Sequence, residues 1–193
     1  MQARFFLAAL MLGSFVGCAT VTPAPGGQHV ARPAMESFEL QGRFAAKQDT
    51  QGGHGRFEWQ HSPVENVLSL ISPLGGGLGT LYWHDQQASL HYPSGQVVAA
   101  ADAQALSAQL IGVAIPVQLI PGWVQALPSK NAQILEQDEK GRVVRFSEAG
   151  WFVRIADYAD EQAQALPKQI EAQRGEMSLR LILDAWQNKV LSP

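Results

Sequence analysis

Apolar and polar residues alternate with a period of two through most of the chain after residue 37. Phe38, Leu40 and Phe44 are each followed by a polar or small residue, and Phe57 and Trp59 repeat the pattern. This period is typical of β-strands with one buried face. Similar or more continuous apolar runs predict further strands at 67–71, 81–83, 90–92, 96–98, 133–136, 142–147, 151–155, 168–174 and 177–186.

The last predicted strand is the longest. It should place five residues on one apolar face: Met177, Leu179, Leu181, Leu183 and Ala185. Turn-forming residues separate the strands. Gln51-Gly52-Gly53 predicts the first turn, and Pro73 with four glycines predicts an irregular loop over Ser72–Thr80.

One stretch between the strands has helical character. Asp102 is a plausible N-cap, Leu106 and Leu110 are four residues apart, and Gly112 suits a C-cap, which together predict a helix ending at Ile111. A second helical stretch is predicted from Pro116 to Leu127, with Pro121 dividing it into two turns.

These elements predict a mainly β fold, with a strongly curved antiparallel sheet or open β-barrel of about 10–11 strands. The short helices are its natural lid. The concave face of such a sheet must be filled by side chains, by a helix or by a ligand. An apolar cavity under a helical lid is therefore a structural expectation.

The N-terminal residues predict where the protein is located in the cell. A basic residue, Arg4, precedes an apolar run from Phe5 to Val16, and small Gly17 precedes Cys18, the only cysteine. This order is typical of a bacterial lipoprotein signal, in which the cysteine sulfur receives diacylglycerol. One alternative is an ordinary secretory signal. The other is a transmembrane helix, but the apolar run is shorter than the ~20 residues that a helix needs to span a bilayer.

Three regions follow from this interpretation. Residues 1–17 form the signal peptide, 18–37 the lipidated cysteine and a flexible tether, and 38–193 an open β-barrel domain that binds acyl chains. The tether is rich in Pro, Gly and Thr, and its residues should span about 25 Å as a random coil. Ala19 is not the Asp that retains enterobacterial lipoproteins in the inner membrane, so the expected site is the periplasmic face of the outer membrane.

Composition excludes several classes of function. The net charge is −3 and the sequence contains no basic cluster, which argues against nucleic acid as a partner. The glycines after Pro73 are not followed by the Lys-Ser or Lys-Thr of a phosphate loop, because position 80 is Thr80. The five histidines lack metal-ligand spacing and no serine lies in a GxSxG motif, so we predict no enzyme, metal or cofactor. The carboxylates are expected to face solvent.

Several segments, in order, resemble the LolB family of outer-membrane lipoprotein receptors over the whole stretch from Phe38 to Trp186. They are Phe38-Glu39-Leu40-Gln41-Gly42-Arg43, Phe57-Glu58-Trp59-Gln60, Leu70-Ile71-Ser72-Pro73-Leu74-Gly75, Ala101-Asp102-Ala103, Gly112-Val113-Ala114-Ile115-Pro116-Val117, Trp123, Gly150-Trp151-Phe152-Val153, Tyr158, Leu166-Pro167 and Asp184-Ala185-Trp186.

The resemblance implies a receptor that accepts mature lipoproteins from the soluble periplasmic carrier LolA and inserts their acyl chains into outer-membrane lipid. It also implies an incomplete barrel with an apolar, helix-lidded cavity, and we expect a monomer. The family's matching leucine, here Leu74, protrudes and takes part in delivery to the membrane. The alternative is that Leu74 folds back into the end of the barrel.

The aromatic residues are candidates for the wall of an acyl cavity, although an ordinary core is the simpler interpretation for any one of them. They are Phe44, Phe57, Trp59, Trp83, Trp123, Trp151 and Trp186, and Phe152 is a further candidate. Two rival functions remain open at this point. One is a structural outer-membrane lipoprotein that scaffolds envelope assembly with a solid core, and the other is a lipid-anchored hydrolase.

Overall fold

The structure is a computed structural model that describes residues 32–188, and within this range eleven strands form one curved, open antiparallel sheet. The strands are β1 (Phe38–Gln48), β2 (Gln51–His61), β3 (Asn66–Ile71), β4 (Gly77–His84), β5 (Gln87–His91), β6 (Val97–Ala100), β7 (Gln133–Gln137), β8 (Val143–Glu148), β9 (Trp151–Tyr158), β10 (Pro167–Arg174) and β11 (Met177–Asn188). Helices α1 (Ala103–Ile111) and α2 (Ile120–Trp123) connect β6 to β7. The predicted fold class and strand number are confirmed.

Two meanders make up the sheet. Strands β1 to β6 follow one another from the centre to one edge, and β7 to β11 run from the other edge back to the centre, where β11 pairs with β1. The first and last strands are thus central, and β6 and β7 are the edges. The connection that contains both helices crosses over the concave side and covers the core.

The registers define two ends of the sheet. Gln48 pairs with both Gln51 and Met177, and Phe152 pairs with Gln173. Together with the β3–β4 and β5–β6 registers, these pairs bring five hairpin turns to one end, which we call the Leu74 end: 49–50, 72–76, 92–96, 149–150 and 175–176. The opposite end, where β1 begins, is called the Phe38 end.

Helix α1 forms as its sequence predicts. The Asp102 carboxylate accepts a hydrogen bond from Gln104 N at 2.8 Å, and Gly112 ends the helix with φ 78° and an N–H that donates to Ala108 O. The second helical stretch is shorter than predicted, because α2 is a single turn flanked by looser turns. Pro121 lies in the first turn of α2. Backbone N–H groups in the first turn make no hydrogen bond within the helix, so a proline is tolerated there and does not divide the helix.

Two predicted loops are wrong in extent. The first turn lies at 49–50, with Asp49 at φ 53°, and Gln51-Gly52-Gly53 already belongs to β2. The Ser72–Thr80 loop ends at Gly76, because β4 begins at Gly77. Gly79 packs closely in that strand: a Cβ there would lie 3.0 Å from Leu110 Cδ1 of α1 and 3.1 Å from Leu90 Cδ1, so those side chains would have to shift.

The predicted apolar face of β11 is correct only as far as Leu183. A register shift places Gln41 opposite Ala185 but Gly42 opposite Leu183, so Asp184 is an extra residue in β11. Such a bulge reverses the alternation beyond it. Ala185 is consequently exposed, and Trp186 packs against the core in its place.

Candidate functional site

An apolar cavity lies between the sheet and the lid segment. Its sheet side carries side chains from five strands that meet near the sheet centre. These residues are Phe44, Phe57, Trp59, Leu68, Leu70, Leu81, Trp83, Leu179 and Leu181. Four of the seven aromatic residues predicted to line an acyl cavity therefore surround this one: Phe44, Phe57, Trp59 and Trp83.

The lid side comes from α1, from the segment that follows it and from α2. It consists of Ser107, Leu110, Ile111, Ile115, Val117, Ile120 and Val124. Ser107 is the one polar residue in the whole lining, and its hydroxyl is engaged elsewhere. Ser107 Oγ lies 2.7 Å from Gln104 O and 3.2 Å from Val113 O, and it accepts a hydrogen bond from Ile115 N at 2.9 Å. The cavity wall can therefore offer a ligand only apolar contact.

The cavity is small in this conformation. Its volume is about 50 Å³, whereas holding one water molecule takes roughly 10–15 Å³ of such space. An acyl chain with about fifteen methylenes does not fit. A ligand of that size therefore requires the lid segment to move away from the sheet.

The other half of the barrel is filled by side chains. Trp123 and Trp151 are fully buried with ring centroids 5.9 Å apart, and Trp123 also lies edge-on to Phe146 at 6.2 Å. These two tryptophans therefore lie outside the lining of the cavity. α2 carries Trp123 onto β8 and β9, where it packs against Phe146 and Trp151.

Trp186, the remaining predicted lining residue, lies at the Phe38 end. Its ring is 5.1 Å from Phe38, which in turn contacts Trp59 at 5.2 Å and His61 at 4.7 Å. This aromatic cluster closes the Phe38 end beneath the cavity. The lining role of the seven aromatic residues stays a prediction, and the structure separates them into four beside the cavity and three elsewhere. For Phe152 the prediction is wrong, because its side chain is 65% exposed on the outer face of β9.

Glu148 is a residue that sequence reasoning misplaced, because it was expected to face solvent. Its carboxylate is buried, accepts a hydrogen bond from Trp123 Nε1 at 2.6 Å, and accepts another from Ser129 N at 3.1 Å. Glu148 is two residues after Phe146 in β8, so alternation from the buried Phe146 gives a weak signal that Glu148 also faces the interior. The bonds fasten the α2 segment to the sheet.

Replacing Glu148 by Ala should lower the free energy of unfolding by about 1–3 kcal/mol, because it leaves the buried Trp123 Nε1–H without its acceptor. Urea unfolding monitored by tryptophan fluorescence measures this. Glu148→Gln, which keeps an acceptor oxygen, should be milder. Equal stability of Glu148→Ala and the parent would contradict the role assigned to this carboxylate.

The Leu74 hairpin projects from the sheet. The Leu74 side chain is 100% exposed, and it therefore does not fill the end of the barrel. Two backbone hydrogen bonds close the turn: Ser72 N donates to Gly76 O at 2.7 Å, and Gly75 N donates to Ser72 O. Gly75 has φ 90°, a conformation that favours glycine. A rigid turn thus holds an apolar side chain in water.

The segment before β1 is fastened at the Phe38 end. Gln125 of the α2 segment accepts a hydrogen bond from Met35 N at 2.7 Å and donates one to Met35 O at 3.2 Å. The Arg32 guanidinium donates to the carbonyls of Gln125, Gln164 and Ala165, and burial lowers the pKa of Arg32. Cys18 lies outside the described residues, so its lipidation stays a prediction.

Ionisable groups beside this segment also serve structure. Burial raises the pKa of Tyr158 to about 12, and its hydroxyl donates to Val143 O at 2.6 Å. Burial alone would raise the pKa of Asp138, but hydrogen bonds from the Arg142 side chain and backbone lower it overall. These residues hold the β7–β8 hairpin and do not reach the cavity.

Within residues 32–188 no group of His, Cys, Asp and Glu side chains is arranged to hold a metal ion. No helix in the same range is long and apolar enough to cross a membrane.

The fold is similar to those of two solved proteins. The chain is similar to a solved LolA superfamily protein from Nitrosomonas europaea, with a TM-score of 0.50, 10% identity, and 83% of this chain and 90% of that chain covered. It is also similar to a DUF1329 family protein from Desulfovibrio piger, with a TM-score of 0.51, 5% identity and coverages of 82% and 88%. At these identities the likeness concerns the fold alone.

Sequence comparison gives the family. The family model described as "Outer membrane lipoprotein LolB" matches residues 36–186. An outer-membrane lipoprotein LolB from Azoarcus is 37% identical over 96% of this chain and 97% of its own length, and that of Thiobacillus denitrificans is 30% identical over 96% and 98%. The chain belongs to the LolB family, and the resemblance inferred from the sequence motifs is confirmed.

Proposed function

We propose that this protein is an outer-membrane receptor that accepts acylated lipoproteins from a soluble LolA-type carrier and inserts their acyl chains into the membrane. The observation that carries the proposal is the apolar cavity, whose only polar lining residue is turned to the backbone. A wall of this kind suits a hydrocarbon chain. It offers no group for acid–base or nucleophilic chemistry, and the proposed function is accordingly not enzymatic.

Location and anchoring belong to the same proposal. The relatives from Azoarcus and Thiobacillus denitrificans are named outer-membrane lipoproteins. The lone Cys18 behind an apolar segment supplies a site for the lipid of such a protein. We place the domain at the periplasmic face of the outer membrane, tethered through Cys18 and monomeric.

Energetics favour direct transfer between two cavities. Three acyl chains of about fifteen methylenes represent roughly 36 kcal/mol of exposure to water at ~0.8 kcal/mol per CH₂. Passage through free solution would be extremely slow at such a cost. Transfer from carrier to receptor to bilayer proceeds without nucleotide if each compartment holds the chains more tightly than the one before it.

The closed cavity implies a mobile lid. Helix α1 packs against β4, β5 and β6, the strands at the open edge of the first meander. The side chains that it packs into the core, such as Leu106, Leu110 and Ile111, are apolar, and its cap hydrogen bonds lie within the helix itself. Sliding of α1 over the β6 edge would enlarge the cavity without breaking the strand ladder.

A transfer assay tests the proposed function. Residues 18–193 carrying Cys18→Ala would be mixed with a LolA carrier loaded with a triacylated lipoprotein, without nucleotide. We expect the cargo to move onto the receptor chain, as measured by co-purification. Cargo that stays on the carrier, together with no binding of a fluorescent fatty acid, would overturn the proposal in favour of a scaffold with a solid core.

A further inference from the structure

Exposed apolar side chains concentrate at the Leu74 end. Six large apolar residues are exposed among those described, and only Val64 of these six lies at the Phe38 end, in the β2–β3 hairpin. Leu74, Val97 and Phe152 lie in or next to hairpins of the Leu74 end, while Ile134 and Leu135 lie on β7, which begins there. Phe152 is notable because an aromatic ring is 65% exposed on a central stretch of sheet.

Basic residues surround Phe152 on the outer face. The registers place Arg145, Arg154, Glu171 and Arg180 in one row across β8, β9, β10 and β11. The next row towards the Leu74 end runs from Ser147 through Phe152, Gln173 and Ser178 to Lys47. We call the set Lys47, Arg145, Phe152, Arg154 and Arg180 the Phe152 face.

This face is basic in a protein that is acidic overall. Four of its five residues are cations, whereas the chain has a net charge of −3. Two carboxylates pair with three of them: Glu171 lies 3.2 Å from Arg154 Nη1 and 4.0 Å from Arg180 Nε, and Glu136 lies 3.4 Å from Arg145 Nη1. Arg145 and Arg154 are directly opposite on neighbouring strands, an arrangement that costs stability.

The rows border a shallow groove of about 670 Å³ on the outer surface. Its lining includes Lys47, Leu135, Phe152 and the three arginines. It lies on the opposite side of the sheet from the lid-covered cavity, since Phe152 and Arg154 alternate with the inward-facing Trp151 and Val153. The groove is therefore a second, separate surface feature.

We propose that the Phe152 face binds the headgroups of anionic phospholipids and docks the Leu74 end onto a bilayer. Arginines pair with phosphate through their planar guanidinium groups, and exposed aromatic rings favour the interface between headgroups and acyl chains. The proposal rests on the proposed function in one respect, that the Leu74 end faces the membrane. It adds a lipid-charge preference that a lone leucine does not supply.

A bilayer fits this face better than an acidic protein does. The cations are spread over two parallel rows and do not converge on one pocket, which suits many mobile phosphates at once. The aromatic ring and Leu74 belong to the same end of the sheet, so a flat surface resting on that end meets both.

Vesicle binding with matched variants tests the proposal. In residues 18–193 with Cys18→Ala, Phe152→Ser and Arg154→Gln would be combined and compared with Val64→Ser and Lys168→Gln. The control pair removes an equally exposed apolar residue and an equally exposed, paired cation from the Phe38 end. All four residues are exposed, so both proteins should remain folded.

We expect sedimentation with phosphatidylcholine vesicles containing phosphatidylglycerol to fall roughly tenfold for the Phe152 pair, while the control pair binds like the parent. The difference should vanish with pure phosphatidylcholine vesicles and in high salt, where the attraction is screened. Equal losses in the two variants, or no loss in either, would overturn the proposal.

A single label gives a second readout. Because Cys18 is the only cysteine, Phe152→Cys in the Cys18→Ala chain carries one thiol for an environment-sensitive fluorophore. Anionic vesicles should shift its emission to the blue, whereas a label at Val64→Cys should not respond. A shift caused by the carrier and not by vesicles would contradict a lipid ligand, and fatty-acid binding in the same samples tests the receptor function separately.

Discussion

A disulfide between Gly53→Cys and Ile111→Cys should abolish acyl-chain uptake, and its reduction should restore uptake. A Cβ at Gly53 would lie 3.3 Å from Ile111 Cβ, close to the roughly 3.5–4.5 Å that a disulfide needs. The bond would join the end of α1 to β2 and hold the lid over a cavity of about 50 Å³. In a Cys18→Ala chain, binding of a fluorescent fatty acid before and after reduction measures the effect, which we expect to exceed tenfold.

The redox comparison within one protein separates lid closure from the loss of the Ile111 side chain. A second disulfide, between Ala45→Cys and His54→Cys, gives a matched control. These residues are direct partners on β1 and β2, and both are exposed, so this bond leaves the lid free. If the oxidised Gly53–Ile111 protein took up fatty acid as well as its reduced form, the cavity would have to open without movement of the α1 terminus.

Leu74→Glu should leave uptake from the carrier intact and reduce delivery of cargo to vesicles by at least tenfold. Burying one leucine among acyl chains contributes roughly 1.5–3 kcal/mol, and tenfold in an equilibrium corresponds to about 1.4 kcal/mol. The substitution should not affect folding, because the Leu74 side chain is fully exposed. Transfer to the receptor and release to vesicles must be measured as two separate steps.

Val64→Glu provides the control for Leu74→Glu. Val64 is 70% exposed in the β2–β3 hairpin at the Phe38 end. The variant therefore introduces the same charge into an exposed hairpin at the end of the sheet opposite Leu74. We expect delivery by this variant to match the parent. Unchanged delivery by Leu74→Glu, or the same loss in both variants, would remove Leu74 from the mechanism.

Local signals were sufficient for most of the fold. Alternation located the strands, and the pair of caps at Asp102 and Gly112 defined α1 to the residue. The sequence predictions were wrong where packing or pairing with a distant element determines the local structure. Gly77 and Gly79 indicate a loop from sequence alone, but they extend β4 because Gly79 leaves space for Leu110 of α1. The bulge at Asp184 depends on pairing with β1, about 140 residues earlier.

The candidate site was predictable by residue type and not by position. The assignment of aromatic strand residues to the interior is wrong for Phe152, which is 65% exposed. Nothing local distinguishes Trp59 and Trp83, beside the cavity, from Trp123 and Trp151, which pack against each other elsewhere. That difference arises because α2 packs Trp123 against Phe146 of β8 and Trp151 of β9. Glu148 was missed for the same reason, since its partners are brought to it by the chain that follows α1.

The opposite placement of Phe38 and Leu74 limits how the anchored domain can meet the bilayer. The eleven residues of β1 separate the two ends by about 36 Å at ~3.3 Å per residue. The 14 residues from Cys18 to Ala31 reach at most roughly 46–50 Å, and Arg32 is already fastened to the domain. With a lipid on Cys18, Leu74 reaches the same leaflet only when this connector is nearly taut or the domain lies on its side. Under the proposed anchoring and delivery, the length of the connector would set the orientation in which cargo is released.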